Sequence, residues 1–476
     1  MKHTRTIRSA ALMIISLLIS VNINAQTSRA AHDSAAYQIQ AYYNAGKPDK
    51  IYEMTSDVFR TRMTGEQFSA GMNKYAAKNG KWKSVDFLSE NEKGKDYKAI
   101  FEQSEQMLSV RLDKSGKIER LNFAAMPVTI SNKKFEVASD NKLRTSMDLA
   151  VERLVRPYIQ QENTSGLVLA IIDRNKISRY SYGTVDKNIQ QLPDADQTIF
   201  EIGSVTKTFN ALLLARQVTE GTMKLTDPIN KYLPDSISAL SYQGQYIRLV
   251  HLANHTAGFP RLPENIFGGK VDPEDPYKHY NNELLFAYLA HYKASVAPGT
   301  KFSYSNLGAG LLGTIFERTG KQSFERLLIH DICQPLGMNN TKVSLNAGQL
   351  ERFAQGYNEQ GNATSPWDLA SLKGSGAIRS TLNDMIRYAQ AQLRPQGLLG
   401  KAIKLSQQET FADTKESIGL GWRINNMSRS RYFHHSGGTG GFRSFVGFDP
   451  TGQFAVVILS NAAVDVTGIG QEIMEK

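Results

Sequence analysis

The sequence predicts an α/β protein in which one sheet, assembled from the two ends of a long C-terminal domain, carries a helical region, with a small α+β domain in front. Three observations lead there. The apolar run Leu167-Val168-Leu169-Ala170-Ile171-Ile172 reads as a buried strand, Ser444 to Phe448 and Phe454 to Leu459 read as strands near the other end, and helical patterns lie between them. Residues 30–125 read as helices to about Ala77 followed by short alternating segments. A polar stretch from Ser131 to Lys142 separates the two regions. With 476 residues, 41% hydrophobic and 21% charged, the chain has a globular composition and length for two or three domains.

The first residues stand apart from both domains. Lys2, Arg5 and Arg8 precede an apolar run from Ala10 to Val21 that closes on Asn24-Ala25-Gln26, the basic, apolar and small order of a secretory signal peptide over residues 1–25. Ser16, Ser20 and Asn22 interrupt the run, which is shorter than a spanning helix requires, so no transmembrane anchor is expected after cleavage. Cleavage would remove three basic and no acidic residues, taking the formal charge from +11 to +8. The remaining Lys and Arg are scattered, which reads as a solvated basic surface, and no nucleic-acid motif is present. The expected location is therefore periplasmic or secreted. Cys333 is the single cysteine and can form no internal disulfide.

Within 30–125, Thr64-Gly65-Glu66-Gln67 predicts a capping box at a helix start. Alternating segments follow at Trp82 to Phe87, Tyr97 to Phe101, Met107 to Leu112 and Ile118 to Phe123, with a hairpin turn at Lys114-Ser115-Gly116-Lys117. This order of elements resembles the cone-shaped ketosteroid-isomerase-like domains often joined to exported hydrolases. Residues 126–142 are expected as a linker, and the second domain as 143–476. That domain opens on a helical pattern (Met147, Leu149, Val151, Leu154, Val155), and Gln471 to Lys476 look helical.

The residues fit for chemistry fall in three segments. In Phe200-Glu201-Ile202-Gly203-Ser204-Val205-Thr206-Lys207, Ser204 precedes an apolar helix and Lys207 lies three residues on, over the same face. A serine hydroxyl needs a base within hydrogen-bond reach, and the free N–H groups of a helix start favour a developing oxyanion. Ser131-Asn-Lys-Lys134 and Ser139-Asp-Asn-Lys142 match the same string, and the alternative role for Ser204 is a helix cap. Tyr304-Ser305-Asn306 sits on a turn before a helix, where a phenol beside an ammonium can carry a proton and an amide can hold a substrate carbonyl. His434-His435-Ser436-Gly437-Gly438 leads into a strand whose glycines admit a substrate backbone, and an exposed N–H there can complete an oxyanion hole.

Two other motifs point elsewhere. Gly308-Ala-Gly310-Leu-Leu-Gly313 has the dinucleotide-binding string without a preceding apolar strand. His251 and His255 have metal-ligand spacing without the glutamate of the zinc-protease motif. The reading therefore assigns no cofactor and no metal.

The blocks Phe200-Glu-Ile-Gly-Ser-Val-Thr-Lys207, Leu225-Thr-Asp-Pro-Ile-Asn-Lys-Tyr-Leu-Pro234, Leu252-Ala-Asn-His-Thr-Ala-Gly258, Tyr304-Ser-Asn306 and Pro335-Leu-Gly-Met338 stand in one order. Over roughly 145 to 476 they resemble the serine beta-lactamase-related family of class C beta-lactamases, D,D-carboxypeptidases, D-aminopeptidases and esterases. The resemblance implies a beta-lactamase/transpeptidase-like fold, an antiparallel sheet plus an all-helical lobe, with a two-step acyl transfer in the cleft between them. It implies Ser204 as nucleophile, Lys207 and Tyr304 as proton carriers, Asn306 as substrate positioner, and the N–H groups of Ser204 and Gly438 as oxyanion donors. His435-Ser436-Gly437 stands where beta-lactamases of the family usually carry Lys-Thr-Gly, so a weaker, pH-dependent charge is expected at His435. The implied function is a serine hydrolase of small peptide amides or esters, with D-amino-acid, cell-wall-derived substrates and peptidoglycan fragments as candidates. The alternatives are a penicillin-binding or wall-binding protein with little turnover, and a beta-lactamase. No oligomeric state is assigned.

Overall fold

A computed structural model describes residues 31–61, 63–91, 94–126, 137–268, 272, 274–426 and 431–475. The expected signal peptide and the linker residues 127–136 lie outside these. The chain divides into two compact units, 1–129 and 130–476, each taken by itself below.

The first unit places helices at 31–44 (α1), Pro48–Glu53 (α2), Asp57–Arg60 (α3) and Gly65–Asn79 (α4) beside the antiparallel meander Trp82–Asn91 (β1), Gly94–Phe101 (β2), Glu105–Leu112 (β3) and Ile118–Ala125 (β4). α4 starts where the capping box requires: Thr64 Oγ1 accepts from Gln67 N, and Gln67 Oε1 accepts from Thr64 N. At the β3–β4 turn, Asp113 Oδ1 accepts from the N–H groups of Ser115 and Lys117, and Gly116 takes φ +80°. The core is aromatic, with Tyr43 packed edge-on against both Trp82 and Phe101.

The second unit is built on an eight-stranded antiparallel sheet. After helix α5 (Ser146–Ile159) come β5 (Gly166–Asp173) and β6 (Lys176–Gly183). The other six strands arrive at the end of the chain: Phe411–Ala412 (β7), Ser417–Ile418 (β8), Arg423–Asn425 (β9), Tyr432–Gly438 (β10), Arg443–Asp449 (β11) and Phe454–Ser460 (β12). The spatial order is β7-β8-β9-β10-β11-β12-β5-β6, so the two chain ends of this unit meet at the β12–β5 pair, with Val457 opposite Ala170. β5 and β12 are buried along nearly their whole length, as their unbroken apolar runs require.

Between β6 and β7 the chain is mainly helical, with α6 (Thr206–Thr219), α7 (Asn306–Gly320), α8 (Leu382–Leu393) and α9 (Gly397–Ser406), and α10 (Thr467–Met474) closes the chain. Ten consecutive residues of α6 are buried, Thr206 to Ala215, which makes it the central helix of the lobe. The last residues of the expected linker belong to this unit's surface. Asp140 Oδ1 accepts from Ser181 N, and Asn141 Nδ2 donates to Tyr182 Oη. Among the described residues no helix is long and apolar enough to cross a membrane.

The glycines of the dinucleotide-like string have a packing role inside α7. A Cβ on Gly310 would come within 2.7 Å of the Leu372 side chain, and one on Gly313 within 3.1 Å of Gly374 Cα, so the helix rests directly on the Ala370–Ser375 turn.

Candidate active site

Ser204 lies in the single 3-10 turn Gly203–Val205 that runs straight into α6. This turn is possible only because of glycines on both sides of it. Gly203 has φ +48°, and a Cβ there would lie 2.5 Å from Gly438 N; a Cβ on Gly437 would overlap the Ile202 carbonyl and the Ser444 hydroxyl. The tip of β10 thus lies directly against the Gly203–Val205 turn, with the backbone of Gly437 and Gly438 beside Ser204 N.

One turn into α6, Lys207 points back over Ser204. Its Nζ donates to Ser204 Oγ at 3.0 Å and to the Ser375 carbonyl at 2.7 Å, and the residue is 3% exposed. Burial lowers its pKa below the ordinary lysine value, and the Arg261 charge pushes the same way; Tyr304 acts against both. The ammonium sits 4.8 Å from the centroid of the Tyr304 ring.

Tyr304 is held from behind. Ser305 Oγ caps α7 by accepting from Gly308 N at 2.9 Å and donates to the Pro260 carbonyl, while Asn306 N donates to the Arg261 carbonyl. His255, at φ +62° and buried, accepts from Ser305 N at Nδ1 and packs its ring 4.5 Å from the Tyr304 ring. Burial, with Lys207 close by, holds His255 neutral far below the usual imidazole range. Asn306 Oδ1 is buried and takes no hydrogen bond from the described residues, an acceptor left open in the cleft that Ser204 lines.

On the sheet side, His435 and His434 face opposite ways, as strand alternation demands. His434 stacks on Phe445, and His435 turns to the cleft with its ring 6.2 Å from Tyr304. The expected pH-dependent charge at His435 is corrected by its burial. The ring is 4% exposed, and burial followed by the Lys207 charge lowers its pKa to about 3, so it is neutral at physiological pH.

Ser204, Tyr304, Asn306, His435, Ser436, Gly437 and Gly438 line one cleft of about 540 Å³. Lys207 lies beneath its floor. Sequence reasoning missed three fixed charges on its walls. Arg261 lies over the Tyr304 ring at 5.2 Å; Arg423, on β9 opposite His434, pairs with Glu416 at 2.5 Å; Arg443, on β11 opposite Gly438, bonds the Thr439 and Phe442 carbonyls. Trp367 and Tyr277 also line the cleft, their rings edge to face at 5.1 Å. The Trp367 backbone N–H donates to the buried Glu201 carboxylate, which also accepts from Arg379. Local strings hold no sign of these roles, because Arg261, Tyr277 and Trp367 reach the site from distant loops and Arg423 and Arg443 through the pairing of β9 and β11 with β10. His255 was visible in the block Leu252 to Gly258 and as half of a metal-like pair with His251, and neither placed it against Tyr304. In the fold the two separate, His251 accepting from Arg248 N at a helix start.

A sheet-and-helix cleft holding a serine at a helix start with a buried lysine one turn on is the construction of a serine hydrolase. The comparisons agree: the Beta-lactamase family model matches residues 151–469. The beta-lactamase of Escherichia coli K12 is 30% identical over 346 residues, covering 65% of this chain and 88% of its own. The D-alanyl-D-alanine-carboxypeptidase/endopeptidase AmpH of the same organism is 29% identical, covering 71% of this chain and 87% of its own. Among solved structures, the beta-lactamase/D-alanine carboxypeptidase of Pseudomonas syringae shares the fold with a TM-score of 0.61 at 24% identity, covering 70% of this chain and 98% of its own. The chain belongs to the beta-lactamase family, and it is a serine hydrolase.

Proposed function

We propose that Ser204 is the acyl-accepting nucleophile and that Lys207 and Tyr304 move its proton, in an exported hydrolase of small D-amino-acid peptides or esters. The observation that carries this is the 3.0 Å bond from a buried Lys207 to Ser204 Oγ, with Tyr304 over the same ammonium. Ser204 Oγ attacks a carbonyl, and the Lys207–Tyr304 pair takes the hydroxyl proton and returns it to the leaving group. The N–H groups of Ser204 and Gly438 donate to the oxyanion, Asn306 accepts from a substrate amide, and water then releases the acyl group.

One feature favours a carboxylate-bearing leaving group. Neutral His435 supplies shape and no charge, whereas Arg423 next to it carries a permanent one. D-Alanine ends of cell-wall peptides have this chemistry, and so do penicillins, which keeps beta-lactam opening as the second reading, motivated by the relatives named beta-lactamases. The N-terminal unit is read as an accessory domain of the exported enzyme.

The test is a side-by-side assay of D-alanine release from an N-acyl-D-Ala-D-Ala peptide and loss of lactam absorbance from benzylpenicillin. Faster peptide turnover supports the leading reading and rapid lactam loss supports the second. Turnover of both that is untouched by Ser204→Ala contradicts the site.

A further inference from the structure

The cleft has two charged ends. Along β10, His435 and Gly438 are three residues apart, about 10 Å in an extended strand. Arg423 stands at the His435 end and Arg443 at the Gly438 end. If the Lys207–Tyr304 pair returns the proton to the leaving group, that group departs past Tyr304, His435 and Arg423. The acyl part then lies at the other end, over Gly438, where Arg443 and Asp465 line the wall.

Arg443 is built to stay there. A Cβ on Gly438 would lie 3.1 Å from its Nη1, so the guanidinium rests directly on the strand tip. Nη1 is fixed by the carbonyls of Thr439 and Phe442 at 2.8 and 2.9 Å, leaving Nε and Nη2 with donors to spare. The side chain is 21% exposed, and the one carboxylate that forms an ion pair with it among the described residues, Glu359, is 3.5 Å away and 64% exposed, a solvent-screened pair that a substrate carboxylate can replace. Burial lowers the Arg443 pKa, and Glu359, Tyr158 and Asp465 oppose that. Asp465 uses Oδ1 to accept from Thr467 N and Oγ1 at the start of α10, and Oδ2 takes no hydrogen bond from the described residues.

We propose that this end of the cleft is a subsite for an α-amino acid carried by the acyl group, its carboxylate bound by Arg443 and its ammonium by Asp465. The proposal rests on the Ser204 reading above and adds the chemical class of the acyl donor. One fixed cation and one fixed anion on the same wall select a zwitterion over a singly charged or neutral chain of equal length, because either lone charge leaves one of the two unmatched.

Three p-nitrophenyl esters of matched chain length test it: pentanoyl (neutral), glutaryl (carboxylate only) and γ-D-glutamyl (carboxylate and ammonium). Ser204-dependent release of nitrophenol from the pentanoyl ester checks the underlying reading by itself, and its absence overturns both. Given that release, kcat/KM is expected to rise from pentanoyl to glutaryl to glutamyl, by about tenfold at each step, the size of one well-placed charge-assisted bond. Arg443→Gln should bring the glutaryl-to-pentanoyl ratio close to one, and Asp465→Asn the glutamyl-to-glutaryl ratio. Because each readout is a ratio within one variant, partial loss of folded protein cancels. Equal kcat/KM for the three esters, or ratios that neither substitution moves, overturn the subsite.

Discussion

Lys207 Nζ donates a 3.0 Å hydrogen bond to Ser204 Oγ from a position 3% exposed, and its other bond in the site goes to a backbone carbonyl, that of Ser375. Among the described residues no carboxylate pairs with the ammonium, so burial works against its charge.

Lys207→Met should therefore lower acylation by about 10²- to 10⁴-fold, the usual worth of a placed proton carrier. In the wild type, acylation should rise as Lys207 loses its proton, at a pH below the ordinary lysine value, because burial favours the neutral amine. A pH–rate profile of lactam acylation reads this directly. A profile flat from pH 6 to 10 contradicts it.

Asn306→Ala should raise KM for amide substrates more than for esters, since the open Oδ1 accepts from an N–H that an ester lacks. Parallel KM values for an amide and its ester analogue give the answer, and equal changes in both count against the role.

Four histidines make the fold sensitive to acid. His251 and His434 have pKa values lowered to about 4, His435 to about 3, and His255 lies well below 6.5, with burial the main cause in each. The unfolded chain takes up these protons near pH 6.5 and the folded one does not, so stability falls as pH drops from about 6.5 towards 4. At pH 5 each such histidine costs on the order of 2 kcal/mol, from 1.5 pK units at 1.36 kcal/mol each. Urea titrations at pH 7.5 and 5.0 should show the loss, and His435→Gln should reduce it.

Glu201 and Arg379 form the buried pair under Trp367, at 3.1 Å. Arg379→Met leaves the Glu201 carboxylate uncompensated and should destabilise the protein by about 3 kcal/mol. Glu201→Gln with Arg379→Met together should recover part of that loss. Denaturant midpoints for the single and double variants decide it.

The parts legible in the sequence are those whose cause is local. Ser204, Lys207, Tyr304 and Gly437-Gly438 stand in short strings because a helix start, a helix turn and a strand tip each fix them within a few residues. The long buried strands β5, β11 and β12 show as apolar runs for the same reason. β7, β8 and β9 have two or three residues each and no pattern to read, yet β9 brings Arg423 to the cleft. Arg261 and Trp367 depend on where loops far apart in sequence converge, and Arg443 depends on the hairpin register that sets it opposite Gly438. The charge state of His435 depends on burial, which the string His-Ser-Gly does not contain.

The most direct measurement is intact-protein mass after incubation with benzylpenicillin, for the wild type and Ser204→Ala in parallel, with the modified peptide located by digestion. The expected result is an acyl adduct on the peptide carrying Ser204 in the wild type and none in the variant, whether the adduct persists or is caught early in turnover. An adduct on another residue, or equal lactam consumption by the Ser204→Ala protein, would contradict the account.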